Sequence, residues 1–515
     1  MTDLAIDVSV SDVCLPPNRL SLAHRAKPLE EVPLPLMLVS LVNFSFSRQG
    51  TIWKLSDDVL LNIFRHYLDA SPQCWPRLIR ICRKWRHIVF ASQRALRLQL
   101  LCTHGTPVLK ILDYWPTLPI VIQFGGPRAP CPPAIEDEDD IMAALMQSDR
   151  VSSISLTVTN SLLEKLSAIE KPFSELEELV LSRDGVPLTL PSAFRWGERL
   201  RTLHLTRAAI PILPVLLSPC TGLVDLQLHK IPKIGYFSPI AFATALSKMT
   251  HLRLLSLHFL SFTLPRNYRD LSLQSGERVA LLSLTRLKYR GTSEYLDSFV
   301  VRIDAPLLRD IDIRFFSQPT MAAFQLSRFI NRIEMLKSHR QANILSSENA
   351  ISISFTQPEV PLRLELQISC KLLARQLSCM AQICIGLFSF LRGVEDLCIS
   401  VTRTKSEQDD GGHDEWLELT RPFIGTKWVH VVGEHSTILV LALQYTHERM
   451  LPAICKLRIR EPEPRYAPLR DAVALFMHSR WRLGHIIALE YERLWVNERY
   501  GTGTAFVQYP FFMTY

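Results

Sequence analysis

At 515 residues the chain is too long for one compact core, which points to two or three cooperative units or to a repeat array. Its 47% hydrophobic and 21% charged residues are the balance of a folded protein and exclude a chain disordered throughout. The formal charge of +8, from 58 basic and 50 acidic residues, is scattered along the sequence, so the field is weak and a nucleic-acid role is not expected.

Residues 1–50 mix prolines, isolated charges and one apolar patch from Val32 to Phe46, and read as a mostly disordered lead. The start lacks the basic residues and long apolar run of a secretory signal. The patch is broken by Pro33 and Pro35 and falls short of the ~20 residues needed to span a bilayer, so no membrane association is expected. Cytoplasm, nucleus or both is the expected location. Eleven cysteines, at positions including Cys379 and Cys384, show no CxxC spacing and read mostly as reduced, buried thiols.

From residue 51 to 103 the pattern is densely helical. A first helix is predicted over Leu55–Leu68, with Ser56 at the N-cap and Asp57 and Asp58 in the first turn. Between Val59 and Leu68, seven of ten residues are apolar, more than one buried face requires, so part of this surface is expected to meet a partner. A second amphipathic helix is predicted from Pro76 through Val89, and a third over Gln93–Cys102.

The residues Leu55-Ser56-Asp57-Asp58-Val59-Leu60, the pair Ile63-Phe64 and the block Ile81-Cys82-Arg83-Lys84-Trp85-Arg86 resemble the F-box, with Ser56 where that family usually has proline. The resemblance implies an all-helical domain whose Leu55, Val59, Leu60, Ile63, Phe64 and Trp85 bind a Skp-type linker protein. A plain helical hairpin within a larger domain is the other reading.

Residues 104–149 read as a connector. Val108–Phe124 is expected as short extended pieces, Gly125-Gly126-Pro127 as an irregular link, and Glu136–Asp140 as the start of a helix running through Met146. Beyond it an apolar-x-x-apolar-x-apolar pattern returns at Val151/Ile154/Leu156, Leu176/Leu179/Leu181, Leu200/Leu203/Leu205, Leu223/Leu226/Leu228 and Leu252/Leu255/Leu257. It continues at Leu284/Leu287/Tyr289, Leu308/Ile311/Ile313, Val394/Leu397/Ile399 and Ile454/Leu457/Ile459, with faint copies in 350–369 and 428–432. The first copies start 25, 24, 23, 29, 32 and 24 residues apart. The last two apolar positions point to one side of a short strand, and such units bury their leucines only against neighbours.

This pattern resembles leucine-rich-repeat proteins over residues 150–465, although the usual asparagine after the strand is missing from most copies. The fold class expected is α/β: a small all-helical F-box-like domain, then an irregular leucine-rich-repeat solenoid of short parallel strands with outer helices. A non-repeat α/β domain is the other possibility. Lys405–Glu415 reads as a flexible insertion, and residues 466–515 as a C-terminal cap helix with an aromatic tail.

The basic stretch Arg328, Arg332, Lys337, His339 and Arg340 has the spacing of a solvated helix face. Cys379 with Cys384, and His430 with His435, lack metal-ligand spacing and read as structural. The sequence contains no HExxH, GxSxG or GxGxxG, so neither enzymatic activity nor a cofactor is expected. The order of F-box and repeats is similar to the substrate receptors of cullin-based ubiquitin ligases, and the Ile63–Trp85 block, the stretch Leu118-Pro119-Ile120-Val121-Ile122 and the acidic helix start before Val151 are similar to the large sets found in mushroom-forming fungi. That resemblance implies an adaptor that binds a Skp-type linker and an unknown target protein. A repeat scaffold or effector without ligase recruitment is the alternative.

Overall fold

The computed structural model describes residues 55–71, 74–104, 106, 108–114, 118–124, 137–167, 169, 171–183, 185–190, 196–261, 278–316, 324–357, 360–402, 413–432, 440, 451–461, 467–497 and 501–508. The N-terminal lead, the Gly125-Gly126-Pro127 link, most of the Lys405–Glu415 insertion, His435 and the end of the aromatic tail lie outside the described residues. The chain divides into two compact units, Met1–Arg97 and Leu98–Tyr515.

The first unit contains helices α1 (Asp57–Ala70), α2 (Trp75–Ile81) and α3 (Arg83–Ala91). Asp57 and Asp58 occupy the first turn of α1, as the helix dipole favours. Ser56 is at the N-cap, but its hydroxyl makes no capping bond there; the start of the helix is held instead by Lys84, whose Nζ donates to the Leu55 carbonyl (2.9 Å) and pairs with Asp57 (3.1 Å). The predicted single helix from Pro76 to Val89 is two helices. Cys82 is extended (φ −161°, ψ 170°), and its Sγ accepts the Trp85 amide at 3.4 Å, so it caps α3 where a continuous helix would pass. Leu60, Phe64 and Leu68 form the buried stripe of α1, and the Phe64 ring packs on Trp85 with centroids 4.7 Å apart.

The predicted third helix is absent. Ser92–Arg97 turns, and strand β1 (Leu100–Cys102) follows, because Leu98, Leu100 and Cys102 are buried at a period of two. Val108–Tyr114, expected as extended, is a helix, and the Leu109 amide is held by the Asp140 carboxylate at 3.0 Å. The helix expected from the acidic run is present at Asp137–Leu145.

The second unit is mixed α/β around one large, mostly parallel sheet. Its strands continue as β2 (Ile120–Phe124), β3 (Val151–Thr157), β4 (Glu178–Ser182), β5 (Thr202–Thr206), β6 (Asp225–Ile231) and β7 (Leu254–Phe259). Next come β8 (Val279–Ala280), β9 (Arg286–Gly291), β10 (Ile303–Asp304) and β11 (Asp310–Phe315); among the described residues β8 and β10 pair only with each other. From β1 to β7, then β9 and β11, each strand lies parallel beside the previous one.

All nine clear copies of the apolar pattern end in parallel strands of this sheet, with their leucines and isoleucines buried. At several strands the residue before the strand offers its carbonyl to two successive amides of the next. Glu177 accepts from Arg201 and Thr202 (2.8 and 3.0 Å), and Arg201 accepts from Val224 and Asp225 (2.8 and 3.0 Å). The same bond recurs on Val224, Arg253 and Thr285 and satisfies the backbone where the chain enters β7, β9 and β11.

One faint copy departs from the pattern. After β11 come β12 (Gln341–Ser347), β13 (Ala350–Gln357) and β14 (Val360–Ser369), which form an antiparallel meander. Strand β14 lies parallel beside β11, and β12 lies parallel beside β15 (Asp396–Thr402), so the meander enters the sheet in reversed order. Ile351, Ile353 and Phe355 alternate with Ser352 and Ser354, a period that fits this arrangement. Parallel order resumes with β15, β16 (Trp428–Val432), β17 (Lys456–Glu461) and β18 (Ala488–Asn497), and β19 (Gly501–Gln508) pairs antiparallel with β18.

Helices between the strands form a second layer. Leu213–Leu217, Pro239–Leu246, Ser293–Val300, Phe324–Arg332, Leu373–Gly386 and His413–Thr420 each contact the next in line. One continuous apolar core unites residues from strands and helices. Polar side chains at alternate strand positions are left on the open face.

Candidate functional site

In the first unit the six residues read as a linker-binding set separate by exposure. Val59 and Ile63, one helical turn apart on α1, are 45% and 36% exposed. Leu60, Phe64 and Trp85 are 1%, 0% and 7% exposed and form the internal packing, while Leu55 is half-buried. Only part of the predicted set is therefore surface, and the rest holds the exposed pair in position. Ile81, at the end of α2, is a further exposed apolar residue of this unit.

In the second unit the sheet register brings polar residues from distant repeats together on the open face. His204 on β5, Gln227 on β6, Ser256 on β7, Lys288 on β9, Asp312 on β11 and Glu365 on β14 form one lateral row. His229 and His258 stand alongside this row. Their rings are stacked with centroids 4.4 Å apart, and Ser256 Oγ lies 3.3 Å from His229 Nε2 and 3.4 Å from His258 Nε2. His204 Nε2 is 3.2 Å from Asp225.

Burial is the main cause that lowers both stacked histidines from the ordinary imidazole value, and neighbouring cations add to it. His258 is lowered to about 4. The sequence reading missed this cluster although the pattern carried a signal, since Leu228-His229 and Leu257-His258 occupy equivalent places in consecutive copies.

The cations beside the histidines fall into two groups. Arg286 pairs with Asp310 (2.9 Å), Arg314 with Asp312 (3.0 Å) and Arg363 with Glu365. Lys288 and Arg290 have no carboxylate at ion-pair distance among the described residues; the Arg290 guanidinium lies over the Phe316 ring, 5.7 Å from its centroid.

Other candidates are taken up by the fold. The Arg332 guanidinium donates to the carbonyls of Val300 (3.3 Å) and Ile303 (3.1 Å), and Arg328 lies over Phe324. His339 is buried, with Nδ1 2.6 Å from the Leu336 carbonyl. Cys379 and Cys384 are buried on one helix, and burial raises both thiols. His430 on β16 lies 3.4 Å from Asp396. A groove of about 790 Å³ near the starts of β4 to β7 is lined by exposed polar and charged side chains, including Glu177, Arg201, His251 and Arg253.

Among the described residues, no three His, Cys, Asp or Glu side chains gather as a metal site, and no helix is long and apolar enough to cross a membrane. The chain matches no protein-family model and no curated protein.

Proposed function

We propose that this chain is a substrate-recognition adaptor of a cullin-RING ubiquitin ligase. In this reading the first unit is an F-box that binds a Skp-type linker, and the second is an irregular leucine-rich-repeat solenoid that holds a target protein. The chain forms no bond itself; it holds the target so that a lysine reaches the ubiquitin-carrying enzyme. Cytoplasm or nucleus is the setting this role requires.

The observation that carries the reading is the exposed pair Val59 and Ile63 on a helix whose opposite stripe is fully packed. Apolar side chains in that position gain burial when a partner covers them. Co-expression of the full chain with a Skp-type linker tests the proposal, and a stable complex on size-exclusion chromatography is expected. A folded chain that elutes free of the linker would overturn it.

The second reading is a protein-binding scaffold or effector that recruits no ligase. The inward placement of Leu60, Phe64 and Trp85 favours it, because it leaves little exposed apolar area on α1. Failure of the linker to co-elute is the result this reading expects.

A further inference from the structure

The open face between β6 and β14 carries an imbalance that packing of the sheet does not require. Five cations project from β9, β11 and β14, and three of them have carboxylate partners. Among the described residues Lys288 and Arg290 do not, and register places them beside Ser256 and His258 of the neighbouring strand. His258 stacks on His229 of β6, and Ser256 Oγ lies within 3.4 Å of both rings, so the pair extends the same area. Arg290 is exposed and Lys288, His229 and His258 are half-buried, so all four are reachable from solvent.

We infer that this patch binds an acidic peptide segment of the target protein, with carboxylates on Lys288 and Arg290 and the His229–His258 pair as further donors. The inference rests on the adaptor reading, because it names the class of target that the sheet would hold. Lys288 and Arg290 are two positions apart on one parallel strand, a separation of about 6.6 Å. Acidic residues two apart in an extended peptide have the same spacing and project to one side. A nucleic-acid strand fits less well, because its continuous phosphates would also run over Asp225, Asp310, Asp312 and Glu365 on the flanking strands.

Carboxylates laid on the histidines raise their affinity for protons, so binding takes up protons and tightens as pH falls below neutrality toward about 4, where the unbound His258 protonates as well. Several charges set the size of this effect. His229 faces His204, Asp225, Lys230 and Lys288, and His258 faces Asp312, Arg290 and Arg314 in addition to His229.

The test uses the full chain and a fluorescein-labelled peptide of about ten residues with glutamate at alternate positions, followed by anisotropy at low salt. Lys288→Glu/Arg290→Glu is expected to weaken binding about tenfold or more, and Lys288→Gln/Arg290→Gln to weaken it less, with unchanged circular dichroism in both. His229→Gln/His258→Gln is expected to flatten the pH dependence. The inference is overturned if the folded variants bind like the parent, or if a labelled oligonucleotide of equal charge binds more tightly than the peptide. Linker binding is scored separately. A chain that binds peptide but no linker retains the patch and loses the adaptor role; one that binds linker but no peptide loses the patch alone.

Discussion

Leu226→Ala tests the register that organises the sheet. Leu226 is fully buried on β6, with Leu203 of β5 and Leu255 of β7 opposite it in register, both also fully buried. Alanine deletes three carbons, which removes about 2.4 kcal/mol of transfer free energy at ~0.8 kcal/mol per methylene. The space left behind adds to this, so a loss of roughly 3–4 kcal/mol is expected, inside the ~2–5 kcal/mol span of such substitutions. Neighbouring Gln227 faces the open side, and Gln227→Ala should change stability by no more than about 0.5 kcal/mol. Urea unfolding followed by far-ultraviolet circular dichroism gives both values. A Leu226→Ala loss below about 1 kcal/mol, or an equal loss for Gln227→Ala, would refute the register, because a one-residue slip exchanges the two faces.

Three further substitutions probe local features. Cys82→Ser places a better N-cap at the start of α3 and should raise the melting temperature, whereas Cys82→Ala should cost about 1 kcal/mol; the reverse order would show that Cys82 caps nothing. Burial raises the Asp297 carboxyl to about 6, although the amides of Gln325 and Leu326 that it accepts oppose the shift. The folded state therefore holds this proton more tightly than the unfolded state, and the stabilising contribution is lost as pH rises from about 4 through about 6. Asp297→Asn should remove that part of the slope in melting temperature, and an unaltered slope would contradict the assignment. Gly235→Ala would drive a methyl group into the Ala208 carbonyl oxygen and should cost about 1–3 kcal/mol, read as a lower urea midpoint. An unchanged midpoint would mean that the backbones approach less closely there.

The large sheet was legible because its signal repeats. Each copy of the apolar pattern supplied the same buried positions, and even the faint copy at Trp428–Val432 forms a parallel strand. Departures arose where one residue or one distant partner decides the structure. The apolar positions from Leu78 to Val89 keep helical spacing across Cys82, so the break depends on that residue's extended backbone and sulfur cap. The run Leu96, Leu98, Leu100, Leu101 fits both helix and strand periods, and pairing with Ile120–Ile122 selects the strand for its end. The helix at Val108–Tyr114 donates its Leu109 amide to the carboxylate of Asp140, thirty-one residues away, which no local pattern displays.

The site was less legible than the fold for a related reason. Sequence spacing identified the apolar surplus on α1 but did not assign each side chain to the core or to the surface. Packing against Trp85 makes that assignment, with Phe64 inward and Ile63 outward. The histidine cluster needed the register of β5, β6 and β7, because its members come from three copies of the pattern.

The most direct test of the adaptor role is the affinity of the full chain for a Skp-type linker, measured by isothermal titration for the parent and for Val59→Asp/Ile63→Asp. Both side chains are exposed, so the variant should keep the parent's circular dichroism and melting temperature. The adaptor account predicts a parent complex that the paired aspartates weaken at least about a hundredfold, equivalent to about 2.8 kcal/mol. A parent chain that does not bind, or a folded variant that binds as tightly as the parent, would contradict it.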